Sequence, residues 1–240
     1  MQRWTLALAA AAAVTVPQPL LADSALTADA YAVHGIPGDD LGLDPALPVD
    51  IAVDGECVLP NVLFGDMLGP LGLEPGIYQI AISLADPNPC HGPLALAGQV
   101  NVSALESAVI VAYLGTNGNL LVGDFSTKVV PLAFDQALLT VYHTANAPAV
   151  DIRLKEPGGP DDAPLAAIRN LQNGETSFPA ELPAGDYEVL ISPAAPPSEF
   201  LEPIARLDLT LDGGFAYSVF AVGSLENGTF TVLPLVIAAP

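Results

Sequence analysis

The stretch LEPGIYQIAIS at residues 73–83 decides the fold, because the chain repeats it as LPAGDYEVLIS at residues 182–192. In both copies a Pro/Gly turn precedes alternating apolar side chains, which is typical of a β-strand with one buried face. The side chains predicted to face the two cores are Tyr78, Ile80, Ile82, Tyr187, Val189 and Ile191. One offset of 109 residues (182 − 73) relates the copies, which predicts an internal duplication.

The same offset recurs elsewhere in the chain. His34 and His143 are also 109 residues apart (143 − 34), and an apolar run followed by Asn-Gly occurs late in each half. Those dipeptides, Asn117-Gly118 and Asn227-Gly228, are strong hairpin signals. With 24 prolines and 21 glycines, the composition favours many short strands over long helices. The sequence therefore predicts an all-β protein made of two tandem Ig-like or transthyretin-like antiparallel β-sandwiches, with about seven strands in each.

The predicted domain organisation follows from the extent of the repeat. We expect a signal peptide at residues 1–22, a first sandwich at 28–126, a linker at 127–135 and a second sandwich at 136–240. We also expect the two domains to share a modest interface.

The N-terminal segment is typical of a secretory signal peptide. A short basic leader precedes an Ala- and Leu-rich run at residues 5–16, which is too short to span a bilayer. Cleavage is predicted after Ala22, with Ala30 as a second candidate. A membrane anchor or a first core helix are the alternatives. The predicted location is extracytoplasmic, secreted or periplasmic, without membrane insertion after cleavage.

The charge balance restricts the partners. The chain has 27 acidic residues against 6 Lys and Arg, for a formal net charge of −21. A phosphate backbone or an anionic membrane surface would repel such a protein. This excludes nucleic acid as a partner.

The two cysteines predict one disulfide. Cys57 and Cys90 are the only possible partners, and an oxidising compartment would allow them to pair. The alternative is a metal site formed by Cys57, Cys90 and His91, which lacks a fourth ligand and the close cysteine spacing of zinc motifs.

Several motifs resemble a known family. Residues 33–37 (VHGIP) with 48–55 (PVDIAVDG), and residues 142–152 (YHTANAPAVDI), resemble the opening of the DUF4397 domain. The LPAG-x-Y element at 182–187 and the AVGS element at 221–224 also fit. The resemblance implies a secreted bacterial β-sandwich module, often in tandem, with no established chemistry. The first half departs from the pattern by an insertion at residues 38–46 and by LEPG in place of LPAG.

Two His/Asp sets recur and form the candidate site. His34 with Asp50, and His143 with Asp151, could act as acid-base pairs. The same residues could instead brace loops, the imidazole capping backbone groups and the carboxylate accepting loop amides. No nucleophile elbow, zinc-binding helix or phosphate loop accompanies them in the sequence, so we predict the loop-bracing role and no catalytic residues.

The predicted function is an exported, non-catalytic tandem β-sandwich protein with a binding, adhesion or structural role and no cofactor. An envelope protein or glycan is the expected kind of partner. The alternative is a hydrolase or a protein that binds calcium, a glycan or a small ligand in the loops near His34 or His143. The acidic residues considered for calcium are Asp39, Asp40, Asp44, Asp161 and Asp162.

Overall fold

The computed structural model describes residues 27–104, 106–127, 130–196 and 199–239. The predicted signal peptide at residues 1–22 lies outside these residues. The strands of the first half, within the described residues, are β1 (Ala28–His34), β2 (Val49–Val53), β3 (Glu56–Val62), β4 (Met67–Leu73), β5 (Gly76–Leu84), β6 (Leu94–Val102), β7 (Ser107–Leu114) and β8 (Leu120–Thr127). A 3-10 turn, Gly38–Leu41, lies between β1 and β2.

The second half repeats this succession. Its described strands are β9 (Gln136–His143), β10 (Val150–Lys155), β11 (Ala166–Leu171), β12 (Glu175–Thr176), β13 (Ala180–Pro183), β14 (Gly185–Pro193), β15 (Ala205–Leu211), β16 (Phe215–Val222) and β17 (Thr231–Ala238). The short strands β12 and β13 both pair with β9, as β4 pairs with β1 in the first half. The described part of the chain is therefore all-β with two β-sandwiches, as predicted.

Each sandwich consists of an inner and an outer sheet. The inner sheets have the order β4-β1-β7-β8 and β12-β9-β16-β17, and the outer sheets have the order β3-β2-β5-β6 and β11-β10-β14-β15. The outer sheets are antiparallel, whereas each inner sheet contains one parallel pair, β1 with β7 and β9 with β16. The alternation of side chains does not distinguish parallel from antiparallel neighbours, so the sequence did not predict these pairs.

The register of the strands shows that the two halves are equivalent residue by residue. Ile80 pairs with Gly98 in the first outer sheet, and Val189 pairs with Leu207 at the same place in the second. The hydroxyl of Tyr78 donates to the Glu74 carbonyl at 2.7 Å, and that of Tyr187 to the Pro183 carbonyl at 2.6 Å. The repeated Pro/Gly–Tyr stretch therefore forms the same turn and strand twice.

The inner sheets pack against each other, so the molecule has four layers. A hydrophobic cluster between the two sandwiches contains Phe125 of the first and Tyr142 and Phe220 of the second. The Tyr142 and Phe220 rings stack with centroids 4.4 Å apart, and Phe125 meets Tyr142 edge-on at 5.6 Å. The interface thus has an aromatic core of its own.

Two features of the strands differ in detail from the sequence pattern. Strand alternation from Leu96 predicts that Leu94 faces the core, but Leu94 is 66% exposed, because a register shift between Ile82 and Ser83 displaces the start of β6. The Asn-Gly dipeptides do lie in the hairpins β7–β8 and β16–β17, although the loops are longer than two residues. No helix within the described residues has the length and apolar content needed to cross a membrane.

Candidate functional site

Asp50 and Asp151 occupy equivalent, fully buried positions in the outer sheets. Asp50 lies in β2 opposite Ser83, and Asp151 lies in β10 opposite Ser192. The Asp50 carboxylate accepts hydrogen bonds from the backbone N–H groups of Asn61 and Cys90, both at 2.8 Å. It therefore joins the neighbouring edge strand to the loop that follows β5.

Asp151 makes the corresponding contacts in the second copy. It accepts from the backbone N–H of Asn170 at 2.8 Å and from that of Ala195 at 3.3 Å. Its second oxygen also pairs with the Arg169 guanidinium at 2.9 Å. Both carboxylates thus hold a strand and a loop together, and in the second copy a cation takes part.

In each copy, one of the backbone donors to the carboxylate is an asparagine that the sequence pattern did not identify. Asn61 and Asn170 have positive φ values of 58° and 52°, and each lies where the edge strand bulges against its partner. Asparagine is one of the few residues other than glycine that tolerates this backbone region. Their spacing of 109 residues (170 − 61) is the signal that could have identified them.

The two histidines lie in the interiors of the sandwiches, at the ends of β1 and β9. The Nε2 proton of His143 donates a hydrogen bond to the Pro148 carbonyl at 3.0 Å, since a carbonyl oxygen can only accept. Nδ1 has no partner in either His34 or His143. Burial lowers the pKa of the His34 imidazole to about 4, against the opposing effect of Asp66, and it also lowers the pKa of His143.

The structure does not bring the histidines and the aspartates together. In β2 and β10, Ile51 and Ile152 face the sandwich interior, so the alternating neighbours Asp50 and Asp151 face the opposite side of the outer sheet. The outer sheet therefore separates each aspartate from the histidine of its own half.

The predicted disulfide is present between Cys57 and Cys90, with a Cα–Cα distance of 5.7 Å. Because the two sulfurs bind each other, the alternative metal site with His91 has no free thiolates. The bond ties β3 to the loop after β5, beside Asp50.

The second sandwich ties the same two elements together without a disulfide. Arg169 of β11 donates to the Glu199 carbonyl at 2.6 Å, in the segment after β14. Its guanidinium carbon lies 3.4 Å from the centroid of the Phe200 ring, and that of buried Arg153 lies 4.5 Å from it. Such cation–π contacts strengthen when they are desolvated.

The acidic loops considered for calcium have other contacts. Asp161 forms ion pairs with Lys155 at 3.3 Å and with Arg206 at 2.6 Å, and the Arg206 hydrogen bond is the largest of the effects that lower its pKa. The Asp40 carboxylate accepts a hydrogen bond from the Asn227 side chain. Among the described residues, no group of three acidic, His or Cys side chains is placed to hold a metal ion.

A chamber of about 220 Å³ lies inside the second sandwich. Most of its walls are aliphatic side chains of both sheets, and the ring of His143 also lines it. The corresponding voids of the first sandwich measure only about 40 Å³ and 20 Å³. Among the described residues, this chamber beside His143 is larger than the void beside His34, and it is large enough to receive a small ligand.

The comparison with protein families gives a match over more than half of the chain. The family model of a domain of unknown function, DUF4397, matches residues 28–153. The chain belongs to the DUF4397 family. The match covers the first sandwich, β9 and most of β10. The second sandwich lies largely beyond the matched residues, and its motifs and register repeat those of the first.

Other comparisons give only distant likenesses to this DUF4397 chain. Curated proteins give no match. The Bacillus anthracis TIE protein is 12% identical to this chain, with a TM-score of 0.27. The likeness covers 82% of this chain and 34% of the TIE protein, so the chain spans about a third of that protein. A Bacteroides ovatus protein described as a "putative cell adhesion protein" is 10% identical with a TM-score of 0.23, covering 89% of this chain and 98% of its own. Both TM-scores are below 0.5, and neither likeness bears on function.

Proposed function

We propose that this chain is an exported, non-catalytic tandem β-sandwich protein of the cell envelope or extracellular space, with a binding, adhesion or structural role. One observation carries the proposal: Asp50 and Asp151 are completely buried and bind loop amides and Arg169. A general acid or base must come within hydrogen-bond reach of its substrate. These carboxylates could do so only if the surrounding loops opened.

Two further features support an extracytoplasmic structural role. The Cys57–Cys90 disulfide suits an oxidising compartment. The aromatic cluster between the sandwiches favours a rigid arrangement of the two domains, which suits a protein that presents or spaces surfaces.

The absence of catalysis is tested with the purified chain from residue 23 onward. We expect hydrolysis of p-nitrophenyl esters, phosphates and glycosides at the rate of the buffer blank. His143→Ala and Asp151→Asn should lower the melting temperature and leave those rates unchanged. Turnover by the wild-type protein that disappears in a folded His143→Ala variant would overturn the proposal.

The binding role is tested by thermal shift against glycans and divalent metal ions, since a ligand of the native state raises the melting temperature. We expect no shift with calcium, because Asp161 is already paired with Lys155 and Arg206. A saturable rise with a glycan would identify a surface partner, and a rise with calcium would contradict the assignment of the acidic loops.

A second candidate function is small-ligand binding in the second sandwich. The chamber beside His143 favours it, because ligand sites are concave and mostly apolar.

A further inference from the structure

The chamber in the second sandwich is unusual for a protein interior. Protein cores are close-packed and contain few voids larger than a water molecule. A chamber of about 220 Å³ keeps the side chains that line it from packing against one another, which costs packing free energy. Its retention in one copy of a duplicated fold, beside a packed first copy, points to a role for the space.

One pair of equivalent residues explains why only the second sandwich is open. In the first, Gly98 of β6 packs against Val122 of β8, and a Cβ added to Gly98 would lie 3.0 Å from the Val122 Cβ. The register places Leu207 of β15 and Val232 of β17 at these positions in the second sandwich, and both line the chamber. The larger leucine side chain prevents the close approach.

The edges of the two sandwiches differ accordingly. In the first, β6 and β8 lie side by side, and the backbone N–H of Asn101 donates to the Asp124 carboxylate at 3.2 Å. Within the described part of the chain, β15 and β17 make no comparable approach. The chamber reaches the surface between them, where Asp208 and Pro234 are exposed at its rim.

The end of the first sandwich is closed by its insertion, which the second copy lacks. Leu41 and Leu43 of residues 38–46, together with Leu47, surround the small void next to His34. At the equivalent end of the second sandwich, His143 lines the chamber directly.

The walls define the chemistry of the occupant. Apart from His143 and Asp208, every side chain that lines the chamber is apolar. Nδ1 of His143 has no hydrogen-bond partner but is also without accessible surface, and Nε2 donates its proton to the Pro148 carbonyl, so neither ring nitrogen is presented to the chamber. Asp208 at the rim and the net charge of −21 repel anions, and an unpaired charge inside would be costly to desolvate.

From these observations we infer that the second sandwich binds one small, uncharged, apolar molecule, which enters between β15 and β17. An apolar cavity of about 150 Å³ in another protein holds benzene. The present chamber therefore suits a molecule of two fused rings, or an alkyl group of similar size, with about ten non-hydrogen atoms. This inference rests on the binding role proposed above and does not require catalysis.

The test uses naphthalene as the neutral probe and 2-naphthoate as its charged counterpart. We expect naphthalene to bind saturably, observed by ligand NMR, and to raise the melting temperature. 2-Naphthoate should bind at least about tenfold more weakly, because its carboxylate loses solvation beside an acidic rim.

A pair of matched variants locates the site. Val219 lines the chamber, and Ile110 is its equivalent in the packed first sandwich, since they pair with Val141 and Ala32 in the same register. Val219→Phe should fill the chamber, weaken naphthalene binding at least about tenfold and leave the melting temperature unchanged or higher. Ile110→Phe should lower the melting temperature by overpacking and leave naphthalene affinity unchanged.

Several outcomes would overturn the inference. They are no saturable naphthalene binding by the wild-type chain, or full affinity in both Val219→Phe and a second filling variant, Leu207→Phe. A dimer in size-exclusion chromatography that Val219→Phe dissociates would assign the opening to a strand of a second copy instead. The naphthalene measurements are independent of the hydrolysis assays. This inference can therefore fail while the non-catalytic proposal stands, and the reverse also holds.

Discussion

Asp50 and Asp151 show how one buried carboxylate can organise a whole edge of a sandwich. Each carboxylate accepts a hydrogen bond from the backbone of an asparagine with positive φ in the edge strand. It also accepts one from the loop that follows the neighbouring strand on the other side. Removal of one acceptor leaves buried N–H groups without a hydrogen bond. The free energy of desolvating such a group exceeds the net stabilisation that the hydrogen bond itself contributes.

We predict that Asp50→Asn destabilises the protein by about 1–3 kcal/mol, because the amide nitrogen replaces one acceptor oxygen. Asp151→Asn should cost at least as much, since Arg169 also loses its ion-pair partner. Equilibrium unfolding in urea measures both. The control is Asp162→Asn at an exposed position, and an equal effect of all three would contradict the bracing role.

The buried histidines predict a dependence of stability on pH. The pKa of His34 is about 4 in the folded state and 6.5 in the unfolded state, so between these values only the unfolded chain binds the proton. The free energy of unfolding should therefore fall as the pH decreases from 6.5 to 4, by at most about 3 kcal/mol from this residue.

His34→Gln isolates this effect. The burial that raises the pKa of Asp40 and Asp124 acts in the opposite direction and is common to both proteins. Urea unfolding at several pH values should give a shallower acid dependence for the variant. Parallel curves for the two proteins would show that His34 does not titrate as the structure implies.

For single residues, the sequence predicted which positions recur in the two halves better than it predicted which side chains contact each other. The 109-residue offset identified the histidines, and the shared Val-Asp element identified the aspartates. It could not show that the outer sheet separates them, because strand alternation gives the face of a residue but not the layer to which the strand belongs. The sequence did not predict that Asn61 and Asn170 have positive φ values, because asparagine is equally common in ordinary turns.

Among the elements, the edge strands account for the main difference between the two copies. Gly98 lets β6 and β8 meet, whereas Leu207 keeps β15 and β17 apart. The Cys57–Cys90 bond and the Arg169–Phe200 contact fasten corresponding strands and loops by different chemistry. The two sandwiches thus keep the same strand register although different contacts join their edge strands to the adjacent loops.

We predict that Gly98→Leu, which introduces the residue of the second copy into the first, destabilises the protein by about 1–3 kcal/mol. The new side chain must displace Val122, so amides of β8 should exchange faster with deuterium. The control is Gln99→Leu on the exposed face of the same strand. Unchanged exchange in Gly98→Leu would show that β6 and β8 do not close the sandwich.

The packing of the whole molecule into four layers explains why one strand run in each half is apolar on both faces. The apolar runs late in the two halves, at residues 108–114 and 217–222, carry apolar side chains on both faces, which is typical of central strands. The structure adds that their outward faces are covered by the other domain. A sequence shows that a face is buried but not which surface covers it, so the size of the interface was not predictable.

Close contacts at the interface join the domains beyond the aromatic rings. The Thr127 hydroxyl lies 2.7 Å from the Tyr142 hydroxyl and 2.9 Å from that of Ser218. The backbone N–H of Gly223 donates to the Gly35 carbonyl at 3.1 Å, at a point where a Cβ on Gly35 would lie 3.1 Å from a Val222 methyl group. Polar and apolar contacts therefore fix the same relative position of the two sandwiches.

The most direct test of the duplicated, rigid module is scanning calorimetry of the chain from residue 23 onward. We expect one transition, with a calorimetric enthalpy equal to the van't Hoff enthalpy, because the shared core couples the domains. Phe220→Ala should separate it into two transitions, whereas Phe178→Ala, at a side chain that is 92% exposed, should not. Two independent transitions in the wild-type chain would contradict the account.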